Sequence, residues 1–357
     1  MKSVRIWLWI GVFMVLVQVM LGGITRLTES GLSITEWDVV MGSFPPTSSE
    51  GWQQEFENYQ KSAQFEKINN DFTVDEFKRI YWWEFIHRLW ARLIGFVFLF
   101  PFIYFLIKKK FNGSWIKKLL FVFLLGGLQG FVGWVMVASG LDGDPWVDPS
   151  KLTIHLLLAL LVYMYLIWLV LSYRHKPVIT DHPNAHRSIK WVLALVFIQI
   201  GLGGLMAGTD AGLLYNTYPL MNGRIMPEGA FQQIFSAEKL VALSPEINFI
   251  NRTFALVVTL MIIYFWLQNR KFSSPIIHKL NNYLVIGVLI QFLLGVLTLL
   301  GAKSSIPVFL GVAHQITACL LLGVVVAIMF YAKPRSGYTQ SIRLQTSYPA
   351  QDAAIKI

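Results

Sequence analysis

The chain is predicted to be an all-α membrane protein, with eight transmembrane helices forming two pseudo-symmetric four-helix bundles and both termini cytoplasmic. Three observations predict this. Of its 357 residues 55% are apolar and 14% charged, whereas soluble domains carry roughly 25% charged residues. Apolar runs of about 20 residues, the length that crosses a hydrocarbon core of roughly 30 Å, recur eight times. Residues that mark the first half of the chain return in the same order in the second.

Span one, near 5–24, follows Lys2 and Arg5. The outer loop after it, about 25–83, is polar and acid-rich, and its stretch 50–80 reads as amphipathic helix outside the membrane. Spans two and three, near 84–107 and 116–138, flank Lys108, Lys109, Lys110, Lys117 and Lys118. Span four, near 151–172, leads to Arg174, Lys176, Arg187 and Lys190. Span five, near 189–208, opens into an outer loop over about 209–246 that holds Gly, Pro, Asn and aromatic residues. Spans six, seven and eight lie near 247–268, 277–301 and 306–331, with Arg270 and Lys271 after span six and Arg335 and Arg343 after span eight.

The basic residues therefore fill alternate loops, and the positive-inside bias makes those loops cytoplasmic. The net charge of +10 is topological, which argues for a lipid bilayer and no nucleic acid as partner. No cleavable signal or transit peptide precedes span one, which favours the cytoplasmic (inner) membrane of a bacterium, crossed many times. The tail 334–357 is polar and expected to be disordered. A single cysteine, Cys319, excludes a disulfide within the chain and thiol redox chemistry of its own.

The repeat divides the chain into 1–175 and 176–333. Gln18, Gly22 and Gly23 at the end of span one match Gln199, Gly203 and Gly204 at the end of span five. Glu84-Phe-Ile-His87-Arg88 matches Asn248-Phe-Ile-Asn251-Arg252, Gln129 and Gly133 match Gln291 and Gly295, and His155 corresponds to His314. Each half starts inside and holds four spans, a parallel repeat about an axis along the membrane normal.

His87, Asn251, His155 and His314 lie at similar shallow depth, one to two turns below the outer surface. A neutral imidazole buried in a bilayer has one common use, as an axial ligand to a metal or heme iron. His87 and His155 can clamp a heme edge-on, the bis-imidazole arrangement that facing helices of a bundle provide. The other histidines, His175, His182, His186 and His278, fall in or beside inner loops and are expected to be solvated. Glu84 sits three residues before His87, hence on the same helix face. It either snorkels outward beside Lys78 or Arg79, or acts as an acid/base or charge-stabilising group above the heme plane. Arg88 and Arg92, Arg252 and Arg26 suit heme propionates through bidentate hydrogen bonds, or structural pairing with Glu side chains and backbone.

At these residues the chain resembles the heme A synthase family, in its branch without an outer-loop cysteine pair. The resemblance is carried by Gly22-Gly23-Ile-Thr25-Arg26-Leu-Thr28-Glu-Ser30-Gly31-Leu-Ser33 with Trp37, Gly42 and Pro45-Pro46, and by Glu76-Phe77-Lys78-Arg-Ile80-Tyr81-Trp-Trp-Glu84-Phe-Ile-His87-Arg88. Ala207-Gly208 through Ala211-Gly212, then Asn216-Thr217, Pro219, Met221, Gly223 and Pro227, and finally His314-Gln315, extend it over nearly all of 1–331. The resemblance implies an oxidoreductase that converts heme o into heme a by oxidising a porphyrin methyl to a formyl group. It implies substrate heme held by His87 and His155 with Glu84 near the reacting methyl, and a permanent heme b in the second half. A heme o synthase and cytochrome oxidase assembly factors are the implied partners, and a homo-oligomer is left open. The family has histidine where Asn251 stands here, so His314 is the one evident axial ligand of the second half. Heme b there is expected to be five-coordinate or weakly capped on the Asn251 side, the competing expectation being a degenerate site. A bis-histidine iron has no free position for oxygen, so either one ligand leaves or water supplies the oxygen atom. A di-heme cytochrome b electron carrier and a non-enzymatic heme carrier are the rival readings.

Overall fold

The fold was analysed in a computed structural model that describes residues 2–36, 44–174, 178–180, 183–228, 231, 239–270 and 274–334. The tail beyond 334, His175, His182, Trp37 and Gly42 lie outside the described residues. Among the described residues ten α-helices follow in order: α1 Lys2–Leu27, α2 Ser49–Gln60, α3 Ala63–Lys67, α4 Val74–Ile107, α5 Gly113–Leu141, α6 Pro149–Arg174, α7 Pro183–Gly208, α8 Ser244–Asn269, α9 Pro275–Gly301 and α10 Val308–Tyr331. Eight of them, all but α2 and α3, are long and apolar enough to cross a membrane. The chain is a multi-pass membrane protein.

Helix starts follow local chemistry that hydropathy does not record. The second span begins at Val74, ten residues before its apolar run, because Thr73 and Glu76 close a capping box. Asn112 accepts from the Trp115 amide to start α5 at 3.0 Å. Asp148 accepts from the amides of Ser150 and Lys151 at 2.9 and 3.1 Å to start α6, with Pro149 as its first residue. The stretch 50–80 is not one amphipathic helix. Ser62 caps a new helix, accepting from Phe65 at 3.2 Å, and α2, α3 and the start of α4 fold into a small outer layer around Phe56, Tyr59, Phe77, Tyr81 and Phe85.

The spanning helices sort into an inner and an outer set. α1, α6, α7 and α10 pack on one another across the halves, burying Leu8, Leu160, Leu166, Ile189, Leu322 and Val325 in one continuous core. α4 lies against α1, α5 against α6, α8 against α7 and α9 against α10. These flanking helices expose Phe96, Phe100, Leu124, Phe131, Leu260, Tyr264 and Leu293, a surface that only hydrocarbon solvates without penalty.

The long loops gather at one end, here called outer. Arg26 bridges to Asp210 at 2.8 Å, Lys67 donates to the Gly143 carbonyl at 2.7 Å, and Lys239 meets Asp144 at 3.2 Å, so the first three of the four outer connections are tied together. At the inner end two short parallel strands, β1 Val178–Thr180 and β2 Ala332–Pro334, join the connector before α7 to the end of α10. His186 is half-buried there with Nδ1 at 2.9 Å from the Ala332 carbonyl oxygen, a packed position rather than the expected solvated one. His278 is exposed, as expected.

Candidate functional site

Glu84 and His87 share the outer half of α4, one turn apart. Glu84 is buried, and each of its oxygens is engaged. Oε1 accepts from Arg88 at 2.6 Å, and Oε2 accepts from Ser33 Oγ at 2.8 Å and the Ile34 amide at 2.9 Å. Arg88 then donates to the carbonyls of Ile34 at 2.9 Å and Glu36 at 3.1 Å. Burial of a carboxylate at this depth is sustainable because a cation and two donors compensate it. The snorkelling alternative is thereby set aside: the side chain turns inward, and the first outer loop folds down onto it.

His87 lies on α4 and His155 on α6. Each ring rests on a glycine of a neighbouring helix. A Cβ at Gly22 would lie 3.3 Å from His87 Nε2, and one at Gly133 would lie 2.8 Å from His155 Cε1. Beside each histidine stands a glutamine: Gln18 Nε2 donates to the His87 carbonyl at 3.2 Å, and Gln129 Nε2 reaches both ring nitrogens of His155 at 3.2 Å.

The second half repeats this construction. Gln291 Nε2 lies 3.2 Å from His314 Nε2, and a Cβ at Gly295 would stand 2.9 Å from His314 Cε1. His314 Nδ1 donates to the Gln291 carbonyl at 3.1 Å, which leaves the lone pair on Nε2, the tautomer an iron ligand requires. Gln199 Nε2 donates to the Asn251 carbonyl at 3.2 Å, as Gln18 does to that of His87. Arg252 captures the carbonyls of Tyr215 and Thr217, and the spacing that relates Gln18 to Gln199 relates these to Ile34 and Glu36. The side-chain oxygens of Gln18, Gln129, Gln199 and Gln291 are all buried without a partner. Unmet acceptors beside imidazoles at matched positions mark polar sites inside an apolar bundle. A donor set of neutral imidazoles with one fixed tautomer fits heme iron, and among the described residues no cluster of His, Cys, Asp and Glu suits a bare metal ion.

Residues 5–326 match the family model described as Cytochrome oxidase assembly protein (COX15-CtaA). The chain belongs to this family. It is 41% identical over 327 residues to a protein of Flavobacterium johnsoniae named Heme A synthase, the match covering 90% of this chain and 95% of the relative. A Flavobacterium psychrophilum protein of the same name is 42% identical over 332 residues, with the same coverage. A third, from Parvibaculum lavamentivorans, is 38% identical over 321 residues, covering 90% and 92%.

In this cytochrome oxidase assembly family member three arginines of the sequence reading, Arg26, Arg88 and Arg252, hold loops. Arg88 and Arg252 clamp loop carbonyls, and Arg26 donates to Ala207 O and Asp210 across the halves while lying over the Trp146 ring at 5.6 Å. The structural pairing weighed for Arg88 is realised with Glu84. Asn251 stands where the repeat places it, its Oδ1 accepting from Gln199 at 2.8 Å and its Nδ2 donating to Met206 Sδ at 3.0 Å. The sequence reading missed Ser33 as a Glu84 partner and Met206 altogether. The glutamines were visible there as marks of the repeat, and their matched placement was the signal that they belong to the sites.

Proposed function

We propose that this chain is an enzyme of heme a biosynthesis, the oxidoreductase that converts a methyl group of heme o to the formyl group of heme a inside the membrane. The observation that carries the reading is a buried, anchored carboxylate, Glu84, one turn from His87 on α4, in a chain whose relatives bear the name Heme A synthase.

In this reading the N-terminal bundle, 1–175, takes the substrate heme between His87 and His155. Glu84 is the catalytic group: its carboxylate stabilises positive charge as the methyl carbon is oxidised, or accepts the proton lost there. Ser33, the Ile34 amide and Arg88 hold that carboxylate in one orientation, and the loop they anchor excludes water from above. The C-terminal bundle, 176–333, holds a heme b through His314, with Asn251 and Arg252 at the other positions of its site. That heme, when bound, supplies one-electron redox chemistry. The enzyme sits in a bacterial cytoplasmic membrane with both termini inside, receives heme o from a heme o synthase and serves cytochrome oxidase assembly.

The test is expression with and without a heme o source, followed by mass analysis of the extracted hemes. Wild type is expected to yield heme a only with the source, and Glu84→Ala to retain bound heme while yielding no heme a. Heme o returned unaltered by the wild type would favour a heme carrier. Unchanged heme a production by Glu84→Ala would remove the carboxylate from the mechanism.

A further inference from the structure

The two halves differ at a pair of positions that touch in the second half. Where the first half has Thr25 on α1 and His87 on α4, the second has Met206 on α7 and Asn251 on α8. The correspondence follows the same spacings that relate Gln18 to Gln199 and Arg88 to Arg252. An imidazole has been lost and a thioether gained at the same spot.

The contacts fix what each group has left to offer. Asn251 Oδ1 accepts from Gln199 and its Nδ2 donates to Met206 Sδ at 3.0 Å, so the amide is committed on both sides. In the first half Thr25 Oγ1 is spent on the main-chain carbonyl of Leu21 at 2.9 Å and offers no donor atom of use to iron. The Met206 sulfur has a second lone pair, sits half-buried on the outer third of α7 and lies at the very amide that stands in place of His87. α7 packs against both α8 and α10, the helices that carry Asn251 and His314. A Cβ at Gly203 would meet nothing within 4 Å, although at the matching Gly22 it would press on the His87 ring, so this face of α7 has room that the shorter Asn251 does not fill. A soft, neutral thioether is a known axial partner for a histidine-bound heme, and it raises the reduction potential relative to a second imidazole.

We propose that Met206 is the second axial ligand of the heme held by His314, so that the C-terminal site is a His–Met site and the N-terminal one a His–His site. The inference rests on the heme reading given above. It replaces an open or weakly capped sixth position with a thioether, and it gives the two sites different iron chemistries in one chain.

The experiment uses the full-length protein, purified in detergent after expression without a heme o source, with heme content measured beside each spectrum. Ferric wild type is expected to show the weak long-wavelength charge-transfer absorption of a sulfur–iron bond. Met206→Leu, which conserves side-chain volume, should keep its heme, lose that band and bind carbon monoxide when reduced. Met206→His should lose the band, stay six-coordinate and titrate at a lower midpoint potential than wild type. Wild type that holds heme yet lacks the band and binds carbon monoxide as readily as Met206→Leu overturns the inference and leaves the heme reading standing. Wild type that holds no heme, or a His314→Ala variant with full heme content and an unchanged spectrum, overturns the heme reading of this half and the inference with it.

Discussion

Replacing Arg88 by alanine removes the cation from a carboxylate that the fold has taken out of water. The Glu84 and Arg88 side chains are 3% and 12% exposed and meet at 2.6 Å. Breaking a buried pair by removing one partner costs about 3–5 kcal/mol, because the remaining charge is uncompensated. The carbonyls of Ile34 and Glu36, which also lose their donor, contribute about 0.5–1.5 kcal/mol each at most, since water can reach that edge. Arg88→Ala should therefore lose about 3–5 kcal/mol, dominated by the stranded carboxylate. Glu84→Gln combined with Arg88→Met removes both charges at similar volume and should return to within about 1 kcal/mol of wild type. Denaturant unfolding in detergent measures the stabilities, and limited proteolysis of the first outer loop reports whether Ser33–Glu36 has come loose. The double variant is informative on function as well: folded and heme-bound, it should make no heme a. A loss below about 1 kcal/mol for Arg88→Ala, the range of solvent-exposed pairs, would refute the claim that this network is desolvated.

Three further outcomes are expected. Gly133→Ala and Gly295→Ala would put a Cβ 2.8 and 2.9 Å from the His155 and His314 rings, so each should lower heme content in its own half and spare the other, read as heme-to-protein ratio and spectrum. Arg26→Ala breaks a pair whose members are 18% and 37% exposed, and should cost no more than about 1 kcal/mol in the same unfolding assay. Burial pushes the Tyr59 phenol up to about 12, with the hydrogen bond from Asn69 pulling partly back. The neutral phenol thus stabilises the outer layer below its unfolded value of about 10, and that contribution is lost as pH rises through about 12. Tyr59→Phe should cost about 1–3 kcal/mol at neutral pH by stranding Asn69 and Gln64, and its deficit against wild type should narrow above pH ~10 in a pH series of unfolding curves.

Much of this molecule is legible in one dimension because the bilayer makes it so. A hydrocarbon layer demands an unbroken apolar run for every crossing, and alternate loops carry the basic residues that orient them. The eight spans follow from that. Hydropathy carries no information on how a helix is rotated about its own axis when lipid and protein are equally apolar. Only packing decided that α1, α6, α7 and α10 form the inner set, and that Glu84 takes Arg88, Ser33 and the Ile34 amide as partners rather than Lys78 or Arg79. Packing likewise set Gln129 and Gln291 against imidazoles and Met206 against Asn251. Each of these last contacts joins two consecutive spanning helices. Their existence depends on side-chain directions that become defined when the helices close on one another.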